Sequence, residues 1–170
     1  ATKYLAGHND VLAGVVVTDS ADLYEKLFYN LNTTGAVLSP FDSYQLIRGL
    51  KTLSLRMERS TANAREIVAF LEQSPAVKEV LYTGRGGMIS FKVADEKRIP
   101  HILNTLKVFS FAESLGGVES LITYPTTQTH ADIPAEVRHS YGLTDDLLRL
   151  SIGIEDARDL IEDLRQALEG

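Results

Sequence analysis

The stretch LLRLSIGIEDARDLIEDLRQAL, residues 147–168, places a short strand directly before an amphipathic helix. Leu148, Leu150 and Ile152 alternate with polar residues, as in a strand that turns one face to the core. Over residues 155–168 the leucines recur at helical spacing, so this segment is predicted to be a helix with one apolar face. A strand followed by such a helix is typical of an α/β fold.

Further strands and helices upstream extend the α/β pattern. Residues 77–82 and 88–93 flank the turn sequence GRGG and predict a β-hairpin. The other predicted strands are residues 11–18, 108–111 and 119–123, and the other predicted helices are residues 20–32, 41–71 and 95–106, with short helices opening at Asp132 and Thr144. Because residues 41–71 exceed the usual helix length, Gly49 is the predicted joint.

Composition and charge narrow the classes of function. The 170 residues include 23 acidic and 17 basic side chains and no cysteine. A net charge of -6 gives no positive surface for a polyanion, so no nucleic-acid partner is expected. Without cysteine there are no disulfides or thiolate nucleophiles. No apolar run approaches the roughly 20 residues of a membrane helix, so no membrane partner is expected and the cytoplasm is the default location.

The histidines do not form a metal-ligand pattern. His8 is near Asp10, and His130 is near Asp132. Each pair supplies only two ligands, whereas protein zinc sites use three or four. No metal site is therefore predicted.

Arg149 is placed on the face of its strand opposite the core leucines. A planar guanidinium on a rigid strand suits bidentate capture of a carboxylate, although a surface salt bridge is the simpler interpretation. The loop of residues 114–117, Ser-Leu-Gly-Gly, could present Ser114 and backbone N–H groups to an anion, or it could be an ordinary turn.

Lys3 is flanked by a hydroxyl residue, Thr2. A lysine that forms a Schiff base needs its amine in a pocket, with a phosphate-binding hydroxyl close by, and Thr2 could supply that hydroxyl. By spacing alone, a solvated lysine near the start of the chain is the other interpretation.

Six motifs in a fixed order give the sequence a resemblance to the family of cystathionine γ-synthase, cystathionine lyases and related enzymes of Cys/Met metabolism. They cover essentially the whole chain. The motifs are Thr2-Lys3-Tyr4 with Gly7-His8-Asn9-Asp10, LSPFDSYQLIRGLKTLSLRMERSTANA from Leu38, GGMISF from Gly86, FAESLGGVESLITYP from Phe111, THADIPAEVR from Thr129 and LLRLSIGIEDARDLIEDLRQAL from Leu147.

The resemblance implies the C-terminal part of a pyridoxal-phosphate-dependent transferase of fold type I, the aspartate-aminotransferase-like α/β fold. Residues 1–49 would end the large cofactor domain, and residues 50–170 would form the small α/β domain with the substrate-carboxylate site. The implied partners are the N-terminal half of the same enzyme, which would precede Ala1, further subunits in a homotetramer built as a dimer of dimers, and small amino-acid substrates.

The resemblance also assigns roles to five residues. Lys3 would bond covalently to pyridoxal 5'-phosphate and later move protons, and Thr2 would contact the cofactor phosphate. Ser114 and Arg149 would hold the substrate α-carboxylate. Glu119 matches a position that is usually acidic in members acting at the γ-carbon.

The implied activity belongs to transsulfuration and methionine biosynthesis, with the fragment alone inactive. Cystathionine γ-synthase, which joins an O-acylhomoserine to cysteine by γ-replacement, is the favoured member. Cystathionine γ-lyase and β-lyase are the alternatives within the family. The segment between Tyr82 and Gly86 is shorter than in many relatives, which leaves the subgroup open but not the family. A non-catalytic binding or assembly domain is the alternative of another class.

Overall fold

The computed structural model describes residues 1–170 and divides into two compact units, Ala1–Leu53 and Ser54–Gly170. The helices are α1 (Ala21–Thr34), α2 (Pro40–Leu50), α3 (Leu53–Gln73), α4 (Ile99–Thr105), α5 (Ala135–Ser140) and α6 (Ala157–Glu169). The strands are β1 (Val77–Tyr82), β2 (Met88–Val93), β3 (Ser110–Phe111), β4 (Leu121–Thr123) and β5 (Leu147–Ser151). None of the helices combines the length and apolar character needed to cross a bilayer.

The second unit is built on one five-stranded sheet with the order β1-β2-β5-β4-β3. The pairs β1–β2, β2–β5 and β4–β5 are antiparallel, and β3 pairs with β4 in parallel. Helices α3, α4 and α6 contribute apolar side chains to the core that covers one sheet face. The predicted α/β class is confirmed, and so is the hairpin of β1 and β2.

The central strand β5 shows the predicted alternation. Leu148, Leu150 and Ile152 are each 0% exposed and belong to the core. Arg149 points to the other face of the sheet and is half-buried. Residue 149 lies opposite residue 90 of β2 on one side and residue 123 of β4 on the other, which places it in the middle of the sheet.

Asp163 ties helix α6 to the segment after α4. Its carboxylate accepts the backbone N–H groups of Lys107, Val108 and Phe109 at 2.8, 2.8 and 3.0 Å. Asp163 is 5% exposed; its bond to Phe109 is buried, and its bonds to Lys107 and Val108 are partly buried. Three bonds to one buried charge make Asp163 a structural residue.

Asp163→Ala is therefore expected to lower the free energy of unfolding by about 2 kcal/mol, because it removes the charged acceptor of three backbone N–H groups, one of which is buried. Asp159, exposed and one turn earlier in α6, is the matched control, and Asp159→Ala is expected to change stability by less than about 0.5 kcal/mol. Denaturant unfolding followed by circular dichroism measures both. Equal stability losses for the two variants would contradict this role of Asp163.

The first unit has a small core and much exposed apolar surface. Its buried apolar residues are Ala6, Val11 and Leu46. Helix α1 begins at the predicted cap, where the Ser20 hydroxyl accepts from the N–H of Leu23, yet none of its residues is buried. The large exposed apolar side chains of this unit include Val15, Val16, Val17, Leu23, Tyr24, Phe28, Tyr29, Val37, Phe41, Tyr44 and Ile47.

The prediction of a strand over residues 11–18 is wrong. The segment has no regular secondary structure, and Val16 and Val17 are 72% and 89% exposed. A strand needs a neighbouring strand for its backbone hydrogen bonds, and the first unit contains only helices. An apolar β-branched sequence is not sufficient without that partner.

Two other local predictions were misplaced. The long helical segment does break, but at Lys51 and Thr52 between α2 and α3, while Gly49 stays inside α2. Thr144 opens no helix; it lies in a turn before β5, where its hydroxyl contacts Asp146. The functional assignment of residues 1–49 and 50–170 to two domains stays a prediction.

Candidate functional site

Lys3 lies on a hydrogen-bonded turn at the start of the first unit. The N–H of Gly7 donates to the carbonyl of Lys3 at 2.8 Å. Gly7 has φ +79°, in the left-handed region that glycine adopts without a side-chain penalty. The Lys3 side chain is exposed, so its amine extends from a backbone that is held in place.

Thr2 holds its hydroxyl against the backbone of Ala13. The N–H of Ala13 donates to Thr2 Oγ1 at 3.0 Å, and Oγ1 donates to the Ala13 carbonyl at 3.3 Å. The second bond is long, so a phosphate oxygen could replace that carbonyl as the acceptor. A primary amine on the residue after such a hydroxyl fits the covalent attachment and phosphate contact that pyridoxal phosphate requires.

Helix α2 supports the turn that carries Lys3. A Cβ atom at Gly49 would lie 2.2 Å from the carbonyl oxygen of Ala6, so glycine is needed for the helix to pack this closely. Nearby, the side-chain amide of Gln45 donates to the Asp10 carboxylate at 3.0 Å. This packing explains Gly49 better than the predicted helix joint does.

Arg149 presents a guanidinium on the sheet face away from the helices. Its Nη2 donates to the carbonyl of Glu113 at 3.3 Å and to the hydroxyl of Thr123 at 3.1 Å. Its Nε is buried and forms no hydrogen bond. A buried N–H without a partner is costly unless a ligand satisfies it, so this donor indicates an acceptor that binds here.

Burial lowers the pKa of the Arg149 guanidinium from its usual value, and the negative charge of Glu113 acts in the opposite direction. The group keeps its positive charge at neutral pH, because arginine is protonated well beyond that range. The site therefore offers a fixed cation.

Strand β5 also anchors the loop that contains Ser114. Arg149 binds the carbonyl of Glu113, which is joined to the nitrogen of Ser114, and the Ser151 hydroxyl accepts the N–H of Gly116 at 2.8 Å. Gly116 has φ +74°, which allows the tight bend between these anchors. Ser114 and Arg149, 35 residues apart in sequence, are thus brought together.

A cleft of about 260 Å³ lies over Arg149. Arg149 gives it one charged end, and the remaining wall is mainly apolar. The other lining side chains include Leu81, Ser90, Pro125, His130, Tyr141 and Leu143. Binding sites for small ligands commonly have mainly apolar walls and a few polar groups that orient the ligand.

Glu113 is a site residue that the sequence analysis missed. Its carbonyl and its charge both act on Arg149. Glu119 is exposed and precedes β4, four residues before Thr123, so its assigned role stays a prediction.

The remaining titratable side chains form no group of three or more His, Cys, Asp or Glu that could hold a metal ion. His8 and His130 bond to near neighbours instead. The His8 ring contacts the Ala6 carbonyl at 2.9 Å, and the His130 ring contacts the Thr129 hydroxyl at 2.7 Å.

Comparison with known proteins gives one consistent family. The profile of the Cys/Met metabolism PLP-dependent enzymes matches residues 1–169. The chain is 58% identical over 168 residues to a cystathionine γ-synthase/O-acetylhomoserine (thiol)-lyase of Bacillus subtilis, covering 99% of this chain and 45% of that protein. It is 52% identical over 185 residues to a cystathionine γ-lyase of the same organism, covering 99% and 49%.

The fold agrees with this family. The structure superimposes with a TM-score of 0.96 on a cystathionine γ-lyase from Micromonospora echinospora, at 39% identity, covering 99% of this chain and 49% of that one. The chain therefore spans about half the length of the relatives it matches.

Proposed function

Because the chain belongs to the Cys/Met metabolism PLP-dependent enzymes, we propose that the whole protein is a cystathionine γ-synthase to which this chain contributes the cofactor lysine and the substrate-carboxylate site. In this γ-replacement the bond from Cγ to the acyl oxygen of an O-acylhomoserine breaks, and a bond from Cγ to the sulfur of cysteine forms. The thiol proton leaves with the acyl group as a carboxylic acid.

The observation that carries the proposal is the half-buried Arg149, whose Nε has no hydrogen-bond partner in a small, largely apolar cleft. An amino-acid substrate brings a carboxylate, the planar acceptor that a guanidinium binds best. Ser114, on the loop anchored beside Arg149, is proposed to add a second contact to the same carboxylate. Glu119 is retained as a candidate contact to the substrate side chain.

Lys3 and Thr2, in the first unit, are proposed to bind the cofactor. Bound pyridoxal phosphate supplies an electron-withdrawing ring that allows a proton to leave the α-carbon of the substrate. The Thr2 hydroxyl would donate to the phosphate. The Lys3 amine, carried on its fixed turn, would hold the cofactor and then move protons at the α- and β-carbons of the substrate.

The lengths of the matches to a synthase and to a lyase favour the synthase. The match to the Bacillus synthase runs over 168 residues, within the chain's own 170. The match to the lyase runs over 185, at least 15 more than this chain has, so that lyase contains extra residues. The short turn between β1 and β2 is a place where such residues would fit. It is closed by the Tyr82 hydroxyl, which donates to the Gly86 carbonyl at 2.9 Å.

The exposed apolar side chains of the first unit favour a large protein partner for this chain. This unit exposes many large apolar side chains, among them Phe41 at 69% and Val17 at 89%. Extensive exposed apolar surface on a protein usually marks an interface. We propose that the N-terminal half of the same protein covers them, since the matched relatives are about twice as long. A homotetramer in the cytoplasm is the assembly and location that the family resemblance favours.

Direct assay of the whole protein tests the activity. It is expected to form cystathionine from O-acylhomoserine and cysteine about tenfold faster, or more, than it breaks cystathionine down, a difference of about 1.4 kcal/mol or more in the barrier. Product formation is followed by chromatography in both directions. Faster breakdown than synthesis would favour γ- or β-lyase, and absence of both activities with bound cofactor would favour a non-catalytic binding or assembly role.

A further inference from the structure

We propose that Thr123 is a positioning residue that fixes both Arg149 and the loop of Ser114 for capture of the substrate carboxylate. The inference rests on the proposed function, because it concerns the same carboxylate site. Thr123 lies on β4, paired with Arg149 on β5, and is 1% exposed. Nothing in the sequence pattern alone marks it, since it follows two apolar strand residues and precedes Tyr124.

The hydroxyl of Thr123 bonds in two directions. It donates to the carbonyl of Ala112 at 2.8 Å and accepts from Nη2 of Arg149 at 3.1 Å. A hydroxyl has a single proton. Because that proton is given to Ala112, only lone pairs face the guanidinium, and the bond to Arg149 is fixed in its direction.

The Thr123 hydroxyl also fixes the direction of the buried Nε–H of Arg149, which forms no hydrogen bond. Nη2 is held by Thr123 on one side and by the Glu113 carbonyl on the other. A planar guanidinium bound at one nitrogen by two acceptors cannot rotate freely. Its buried Nε–H, which forms no hydrogen bond, is therefore kept in one direction for an incoming carboxylate.

Thr123 also joins the two halves of the carboxylate site. Ala112 lies two residues before Ser114, and its own N–H donates to the carbonyl of Ile122 at 3.1 Å. The bond from Thr123 to Ala112 thus locks the start of the Ser114 loop to β4. One side chain fixes the position of the loop relative to the arginine.

A buried threonine could instead act only on stability. The two roles differ in what the substitutions change. A structural role would lower the melting temperature and kcat together, whereas a positioning role would raise KM for substrates that have a carboxylate and would leave binding of a decarboxylated analogue unchanged.

The test compares three variants in the whole protein. Thr123→Val, which keeps the shape and removes the hydroxyl, is expected to raise KM for the amino-acid substrate by about tenfold and to change kcat by less than about threefold. Thr123→Ser keeps the hydroxyl and is expected to stay within about threefold of the parent in KM. Thr126→Val is the matched control, because the buried Thr126 hydroxyl forms no hydrogen bond and its removal should leave KM unchanged.

Binding of the decarboxylated amine, followed by the cofactor absorption spectrum, should be the same in all three variants. The inference is overturned if Thr123→Val leaves KM unchanged, if it weakens the amine equally, or if Thr123→Ser is as impaired as Thr123→Val. Should Thr123→Val fail to fold, Thr123→Ala gives the same comparison. An Arg149→Ala variant separates the claims: if it does not raise KM, the carboxylate site itself is wrong, whereas a large Arg149 effect with none at Thr123 rejects only the positioning role.

Discussion

Arg149→Ala is expected to raise KM for the amino-acid substrate by about thirtyfold or more, because losing one partner of a buried, hydrogen-bonded charge pair costs about 2–5 kcal/mol. Arg149 lies on the central strand β5, whose backbone is paired with β2 on one side and β4 on the other. The loss should appear in KM more than in kcat if the carboxylate is held equally in the ground and transition states. Steady-state kinetics of the whole protein with varied O-acylhomoserine measures it.

Two further variants define the cause of that loss. Arg149→Lys keeps the charge but cannot make a bidentate contact, so it should recover only part of the affinity. Arg85→Ala removes an exposed arginine from the turn between β1 and β2 and should leave KM unchanged. A normal KM for Arg149→Ala would show that the carboxylate binds elsewhere.

Lys3→Ala is expected to remove the visible absorption band of lysine-bound pyridoxal phosphate and to lower kcat by about a thousandfold or more, because the covalent attachment and the proton carrier are lost together. Lys51→Ala, at an exposed lysine just after α2, is the control and should keep the band and the activity. Absorption spectra with and without added cofactor give a result that does not depend on turnover.

The band is also expected to require the N-terminal half. Lys3 is exposed in this chain, and we expect the N-terminal half to complete the proposed pocket around its amine. The 170-residue chain alone should show little specific colour with pyridoxal phosphate. A tight complex of this chain alone that depends on Lys3 would contradict the incomplete site.

The sequence was sufficient where local pattern and tertiary packing agree. The alternation of Leu148, Leu150 and Ile152 predicted the strand and also the outward direction of Arg149, because one face of β5 packs on helices throughout. The hairpin of β1 and β2 was predicted for a similar reason, since its turn residues and apolar runs lie within 20 residues. Local pattern failed at residues 11–18, because a strand needs a neighbouring strand and the first unit contains none.

The candidate site, too, could be predicted from the sequence only in part. Ser114 and Arg149 could each be proposed from the residue type and the resemblance. Their proximity depends on the register of β4 against β5 and on the anchor between Gly116 and Ser151. Glu113 and Thr123 were missed because their contacts with Arg149 run through a backbone carbonyl and a strand pairing, which the sequence pattern does not show.

Attachment of the cofactor to the Lys3 amine can be read directly from the protein. The whole protein with bound pyridoxal phosphate is reduced with borohydride, digested, and mapped by mass spectrometry. We expect one peptide with the reduced cofactor attached, containing Thr2, Lys3 and Tyr4. Attachment at any other lysine, or a cofactor released without attachment, would contradict it.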